Sequence, residues 1–198
     1  MAHTPRDVFD EAYYKRFYSD DPVHTQQKVA QLAQGLDSLF SWWDFPVRTV
    51  LDVGAGPGFW RDWYAQNRPE VKVLSTDVSE HACKKYGHQL RDISKWKPAA
   101  TFDFVICHGV LHYLSGPQAE AAIENLAHAC RGLMYMETPT ANDLLHTVDR
   151  DATDLNVYSR SATWYRTRLK PHFQQVGAGL WMSRRCGLPF YELELPRA

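Results

Sequence analysis

The stretch VLDVGAGPGFW, from Val50 to Trp60, constrains this chain more than any other. An apolar run breaks into three glycines separated by single residues, and a helix-compatible segment follows. Glycine reaches positive φ and lets a ligand or another backbone come close, so the pattern predicts a strand, a tight turn and a helix. Such turns hold nucleotides, dinucleotides or phosphates, and spacing separates them. A dinucleotide fingerprint is GxGxxG, with the third glycine packing helix on strand. Counting from Gly54, the sixth position is Phe59, and the pattern is GxGxG preceded by Asp52. A carboxylate ahead of the loop opposes a pyrophosphate and suits a cationic ligand.

The rest of the chain supplies an alternating frame. Val29, Leu32, Ala33, Leu36, Leu39 and Phe40 recur at helical spacing over residues 26–40. A shorter helix is expected over Tyr13–Tyr18. Thr49–Val53, Val71–Asp77 and Phe102–Cys107 read as strands, with a weak one near Gln89–Arg91. Ser115 and Gln118 have capping-box spacing, Pro117 suits a first turn, and Gly132 is a candidate helix stop. A strand over Leu133–Thr138 follows, then a helix in SATWYRTRLKPHF. QQVGAGLWMSRR and PFYELEL read as two closing strands. This order predicts an α/β doubly wound sheet, mostly parallel with an antiparallel edge pair, carrying an N-terminal helical cap. One domain is expected over residues 1–198: a cap over 1–45, a cofactor-binding core over 46–138, a substrate lid over 139–160, and a closing helix and strands over 161–198. Ligands in such sheets bind outside the carboxyl ends of the strands.

Composition removes several classes of function. A hydrophobic content of 44% argues for a packed globule, and a formal charge of −1 gives no global field toward nucleic acid or an anionic membrane. No apolar run reaches 18 residues, so no membrane span is expected. Cys83, Cys107, Cys130 and Cys186 form no CxxC pair and read as reduced thiols of a cytoplasmic protein.

VLDVGAGPG resembles the signature loop of class I S-adenosylmethionine-dependent methyltransferases, a Rossmann-like family. The resemblance extends in order through Asp77, LRDISKW and FDFVICHGVLHYL, covering roughly residues 49–138. It implies S-adenosyl-L-methionine as cofactor. Its sulfonium and ammonium make sense of Asp52. The implied cofactor residues are Asp52, Gly54, Ala55, Gly56, Gly58 and Trp60, then Asp77 with Val78, Asp92 with Ile93, and Cys107 with His108. Asp77 matches the acid that holds both ribose hydroxyls, and Asp92 the acid at the adenine edge. Each has a structural alternative: a tight turn for the glycines, local caps for Asp77 and Asp92, core packing for Trp60 and Cys107.

Methyl transfer from a sulfonium is an in-line displacement, so alignment of the reactants contributes most. A base is required only where the nucleophile must lose a proton. His108, His112 and Glu137 are the catalytic candidates, with packing, capping or an Arg150 pair as their alternatives. If helical, His108 and His112 share a face, but HGVLH lacks the glutamate of a zinc HExxH site. No carboxylate or His/Cys cluster is visible at the strand ends, so no metal is expected. Tyr13, Tyr14, Tyr18 and Glu137 are expected to border the substrate, roofed by the lid. An [DN]PP[YF]-like loop, a metal-binding carboxylate cluster and a double-glutamate segment are all missing after Phe104. The expected reaction is transfer to an O or N nucleophile of a small molecule. A peptide or RNA methyltransferase and a catalytically silent binding module are the alternatives. Residues 150–198 carry eight Lys or Arg against four Asp or Glu, without a clustered patch, so nucleic acid is disfavoured. The acceptor atom and the oligomeric state stay open.

Overall fold

The computed structural model describes residues 8–20 and 22–192. The elements are α1 (Glu11–Lys15), which runs on as a π-helical turn over Arg16–Asp20, then α2 (Gln26–Trp42), β1 (Thr49–Val53), α3 (Phe59–Asn67), β2 (Lys72–Asp77), α4 (Glu80–Tyr86), β3 (Gln89–Leu90), β4 (Phe102–His108), a 3-10 turn (Leu111–Tyr113), α5 (Gly116–Ala129), β5 (Cys130–Glu137), α6 (Ala141–His146), α7 (Ala162–Leu169), β6 (Phe173–Gly177) and β7 (Leu180–Ser183). The strands form one sheet in the order β3-β2-β1-β4-β5-β7-β6. β1 pairs in parallel with β2 and β4, and β7 runs antiparallel to both β5 and β6.

The sheet is covered on both faces, which is why its central strands read as unbroken apolar runs. Alternate residues go to opposite cores. Val50, Phe104, Ile106 and Leu133 pack under α2 and α3 with Phe40, Trp60 and Tyr64. Leu51, Val105, Cys107 and Met134 pack under α5 and α7 with Ile123, Leu126 and Leu169. Each such Leu, Ile or Phe, fully buried, contributes about 1.5–3 kcal/mol of transfer free energy.

Caps set the helix starts. Thr25 Oγ1 accepts from the Lys28 amide at the head of α2, and Gln118 Oε1 accepts from the Ser115 amide at the head of α5. After β1 the chain winds toward β2 and β3, then returns across to β4. The winding therefore reverses between β1 and β4, and their carboxyl ends bound a crevice.

Three expectations need correction. Gly132 does not end α5; it lies inside β5, which begins at Cys130. There a Cβ would collide with the Asp103 carbonyl and the Phe45 ring, so packing, not a helix cap, requires glycine. QQVGAGLWMSRR is not one strand. Ala178 and Gly179, at φ 48° and 77°, make a two-residue turn that folds Phe173–Ser183 into a hairpin. That hairpin supplies the antiparallel pair, and within PFYELEL the described residues 189–192 form no strand. Residues 193–195 lie outside the described residues. Finally, His108 and His112 share no helix face. His108 ends β4, and Gly109, at φ 72°, breaks the chain before the 3-10 turn.

Candidate active site

The glycine turn sits at the carboxyl end of β1. Gly54 and Gly56 have φ of 66° and 57°. A Cβ on Gly54 would lie 2.5 Å from Val110 Cγ2, and one on Gly56 would lie 3.3 Å from the Tyr18 hydroxyl. The turn is anchored from β2. The Ala55 amide donates to the Thr76 carbonyl, and the Gly56 amide donates to Asp77 Oδ2 at 2.9 Å. Asp77 Oδ1 accepts from the Ser79 amide at 2.8 Å. Burial pushes the Asp77 carboxyl up, against the pull of these bonds. His88, buried behind the turn, contacts the Gly56 carbonyl oxygen through Nε2 and Ser75 Oγ through Nδ1, both at 2.9 Å.

Asp52 lies beneath the turn, 1% exposed, and its Oδ2 has no hydrogen-bond partner. Burial, then the nearby Asp77, raises it to about 7. A buried carboxylate without a partner is costly to ionise, so this position calls for a cation. On the far wall, Asp92 Oδ1 accepts from the Ser94 amide and hydroxyl, and Oδ2 pairs with Lys95 at 3.2 Å. Asp77, Val78, Asp92 and Ile93 border the same cleft as Gly54 and Gly56.

An aromatic roof closes this cleft. Tyr14 stacks on Tyr18 with centroids 5.3 Å apart, and the Tyr13 and Tyr113 hydroxyls are 2.8 Å apart. Ser79 Oγ donates to the Phe9 carbonyl and so ties the roof to the head of α4. Burial raises Tyr13 to about 12. The roof leaves about 70 Å³ free over the glycine turn.

Beside it opens a larger cavity of about 470 Å³. Tyr13, Tyr18, Gly109 and Tyr113 border both spaces. Glu137, at the end of β5, stands between two imidazoles: His24 Nε2 and His108 Nε2 each lie 3.3 Å from its Oε1. Tyr135 donates to Oε2 at 2.6 Å. The His108 ring first, then the Tyr135 hydroxyl and His24, hold the Glu137 carboxyl down at about 2 against its burial. His24 is lowered by burial and by His108. Trp60 Nε1 lies 3.2 Å from His108 Nδ1. An indole N–H only donates, so Nδ1 accepts and the His108 proton sits on Nε2. That nitrogen is buried and faces the Glu137 carboxylate at 3.3 Å, where it acts on the carboxylate through proximity without a geometric hydrogen bond. His112 is also buried, with Nδ1 on Thr138 Oγ1 at 3.0 Å, and burial followed by Arg160 lowers it to about 4.

The structure thus gathers His108, His112, Glu137, Tyr13 and Tyr18 around adjoining spaces, but distributes the others differently. Tyr14 faces the glycine-turn cleft and not the larger cavity. Trp60 lies in the core and touches His108, and Cys107 is fully buried. Ala55 and Gly58 shape the turn through their backbones, Gly58 with φ of 88°. Glu137 pairs with histidines instead of Arg150, which donates to the Leu144 carbonyl. A mixed group that the expectation of no carboxylate or His/Cys cluster at the strand ends did not consider is present: ligand atoms of His24, His108 and Glu137 lie within 4.8 Å of one another. Sequence reasoning missed His24 and His88. Thr25 as the cap of α2 was the one available cue, and it places His24 at a turn without bringing it over the sheet.

A glycine turn at the switch point of a doubly wound sheet, with two acids below and beside it, has the geometry of a nucleotide-type cofactor site, and a second cavity adjoins it. Residues 23–181 match a family model described as Methyltransferase domain, and the chain belongs to that family. Solved structures show the same fold. N-methyltransferase NodS from Bradyrhizobium japonicum WM9, in complex with S-adenosyl-l-homocysteine, is 17% identical with a TM-score of 0.60, over 87% of this chain and 97% of its own. Magnesium protoporphyrin IX methyltransferase (ChlM) from Synechocystis PCC 6803 with bound SAM is 21% identical with a TM-score of 0.57, over 90% of this chain and 93% of its own. No curated protein matches the sequence. Among the described residues, no helix is long and apolar enough to cross a membrane.

Proposed function

We propose that the chain transfers a methyl group from S-adenosyl-L-methionine to an O or N nucleophile of a small molecule. One observation carries this reading. The cleft over the glycine turn, beneath which the buried Asp52 Oδ2 has no hydrogen-bond partner, shares Tyr13, Tyr18, Gly109 and Tyr113 with an adjoining cavity of about 470 Å³, within the roughly 300–1,000 Å³ of small-molecule sites. Gly54, Gly56, Asp77, Val78, Asp92 and Ile93 would hold the adenosyl part, and the ligand's ammonium would answer Asp52. The cofactor supplies a methyl already activated by positive sulfur. The chain's own work is then to orient the acceptor and manage its proton. Glu137, His24 and His108 stand at the junction of the two spaces for that work, and residues 139–160 cover the acceptor. Tyr13 and Tyr18, which border both spaces, would stand over the bound cofactor. Four free cysteines among the described residues suit a reducing cytoplasm.

Calorimetry tests the cofactor. The protein is expected to bind S-adenosylhomocysteine and not NAD. Asp77→Asn is expected to lose about 1.5–3 kcal/mol of that binding, the value of hydrogen bonds to a charged group. NAD heat without S-adenosylhomocysteine heat would end this reading.

A further inference from the structure

Resting on that reading of the larger cavity, we infer that the acceptor is an organic amine that arrives as a cation, docks on Glu137 and gives its proton to His24. Among the described residues the cavity wall carries four carboxylates, Glu137, Asp143, Asp149 and Asp154, and neither lysine nor arginine. Among the described residues, three of the four accept only from uncharged donors. Asp143 accepts from the Thr140 amide and hydroxyl, Asp149 from the amides of Asp151 and Ala152, and Asp154 from the Asn156 amide. Among the described residues none of these three enters an ion pair. Their charge is therefore not cancelled locally, and fields add inside a cleft with low-dielectric walls.

Among the described residues, no neighbouring cation pairs with these three aspartates. Lys28 Nζ donates to the Val23 carbonyl, Arg16 lies 5.0 Å over the Phe17 ring, Arg150 donates to the Leu144 carbonyl, and Arg160 is held by the carbonyls of Leu111 and Leu114.

The remaining wall independently suits the same ligand. Tyr13, Phe17, Tyr18 and Tyr113 give the cavity an aromatic side, and ring faces attract an alkylammonium. An anionic acceptor would meet repulsion from four carboxylates. A neutral alcohol could donate one hydrogen bond to a carboxylate but would gain no charge pairing.

The groups at the cavity's inner end match the proton inventory of an amine. An ammonium has no lone pair for the methyl, so it must first lose a proton. Glu137 stays ionised and binds the ammonium, and the neutral His24 imidazole, 3.3 Å from that carboxylate, accepts the proton. The freed lone pair forms the N–C bond as the C–S bond breaks and its electron pair stays on sulfur, which becomes a neutral thioether. The amine leaves methylated and carrying one positive charge, and His24 returns the displaced proton to solvent.

The test compares three ligands with one aryl skeleton: 2-phenylethylamine, 2-phenylethanol and 3-phenylpropanoate. Each is titrated into the S-adenosylhomocysteine-loaded protein by calorimetry. The amine is expected to bind at least about tenfold more tightly than the alcohol, with no heat from the carboxylate, the contrast set by electrostatic complementarity. Glu137→Gln is expected to weaken the amine about tenfold, and Asp149→Asn with Asp154→Asn to weaken it several-fold, with S-adenosylhomocysteine affinity unchanged throughout. Equal or tighter binding of the alcohol or carboxylate, no amine heat, or an amine affinity indifferent to Glu137→Gln would overturn the assignment. Magnesium chloride binding more tightly than the amine would overturn it as well. Rejection of the amine by protein that binds S-adenosylhomocysteine removes the acceptor class alone. Absence of S-adenosylhomocysteine binding removes the cofactor reading and this assignment together.

Discussion

The indole N–H of Trp60 donates to Nδ1 of His108 across 3.2 Å, and it sets which nitrogen of that ring carries the proton. Nε2–H then faces Glu137, and the carboxylate is stabilised in its ionised form. Trp60→Phe keeps an aromatic ring in the core but removes the donor. Loss of one buried hydrogen bond is expected to cost about 1 kcal/mol, or roughly 2–4 °C in Tm for a chain of this size. The sharper readout is the ring itself. Nitrogen NMR is expected to show His108 as the Nε2–H tautomer in the parent and as a mixture in Trp60→Phe. A parent ring protonated on Nδ1 would refute the relationship.

The same bond bears on metals. Two histidines and a carboxylate within 4.8 Å have the composition of a facial iron site. A ring nitrogen that carries a proton cannot ligate, so Trp60 holds His108 out of that role. Dialysis against EDTA is therefore expected to leave Tm and S-adenosylhomocysteine affinity unchanged. Elemental analysis is expected to find no stoichiometric zinc or iron. One equivalent of either metal, with a lower Tm on its removal, would contradict this.

Asp52 predicts a pH dependence of cofactor binding. Its folded value, about 7, lies above its unfolded value of 3.8. The stability that this group contributes is complete below 3.8 and is lost as pH rises through 7. A ligand ammonium favours the carboxylate, so binding opposes that preference. S-adenosylhomocysteine affinity is expected to rise with pH, by up to about tenfold per unit below 7, and to level off above it. Asp52→Asn is expected to flatten the profile. Parallel slopes in parent and variant, measured by calorimetry from pH 5.5 to 8.5, would sink the assignment.

These positions differ in how much of them the sequence could reveal. Asp52, Gly54, Gly56 and Asp77 follow one another in chain order along a strand, a turn and the next strand, so local pattern places them. The two-sided cores likewise follow from apolar runs too continuous for a half-exposed sheet. His24 is different in kind: it precedes α2, and only tertiary packing brings it to Glu137, 113 positions along the chain. Gly132 was misread because helix stop and close backbone approach use the same residue type, and only the Phe45 ring and the Asp103 carbonyl separate the two. The hairpin at Ala178–Gly179 was missed because the apolar residues on either side read as a single strand. The acidic wall was visible only as scattered aspartates until residues 139–160 folded over one cavity.

Arg160 links that covering segment to the site and gives the last prediction. Its guanidinium, in a residue 9% exposed, donates to the Leu111 and Leu114 carbonyls and lies 4.8 Å from the Trp164 ring centroid. The Ala141 amide donates to its carbonyl at 2.7 Å, so both ends of the 141–160 segment meet at this residue. Arg160→Met keeps the length of the side chain and removes the donors. The Leu114 carbonyl then loses its partner, at about 1–3 kcal/mol, while the Leu111 carbonyl keeps the Leu114 amide at 3.3 Å, and Tm is expected to fall by roughly 2–4 °C for each kcal/mol lost. His112 reports the same change electrostatically. Burial is the larger cause of its value near 4 and Arg160 the next, so the variant is expected to raise it part of the way toward 6.5. The sign fixes the pH window. A histidine held neutral in the fold contributes stability that is complete above 6.5 and is lost as pH falls through about 4. Between those limits Arg160→Met is expected to lose less stability from His112 than the parent does, although it starts lower. Proton NMR of the His112 ring measures the shift and thermal unfolding at pH 7.5 and 5 measures the difference. An unmoved His112 titration together with an unchanged Tm would show that Arg160 holds neither the segment nor the histidine.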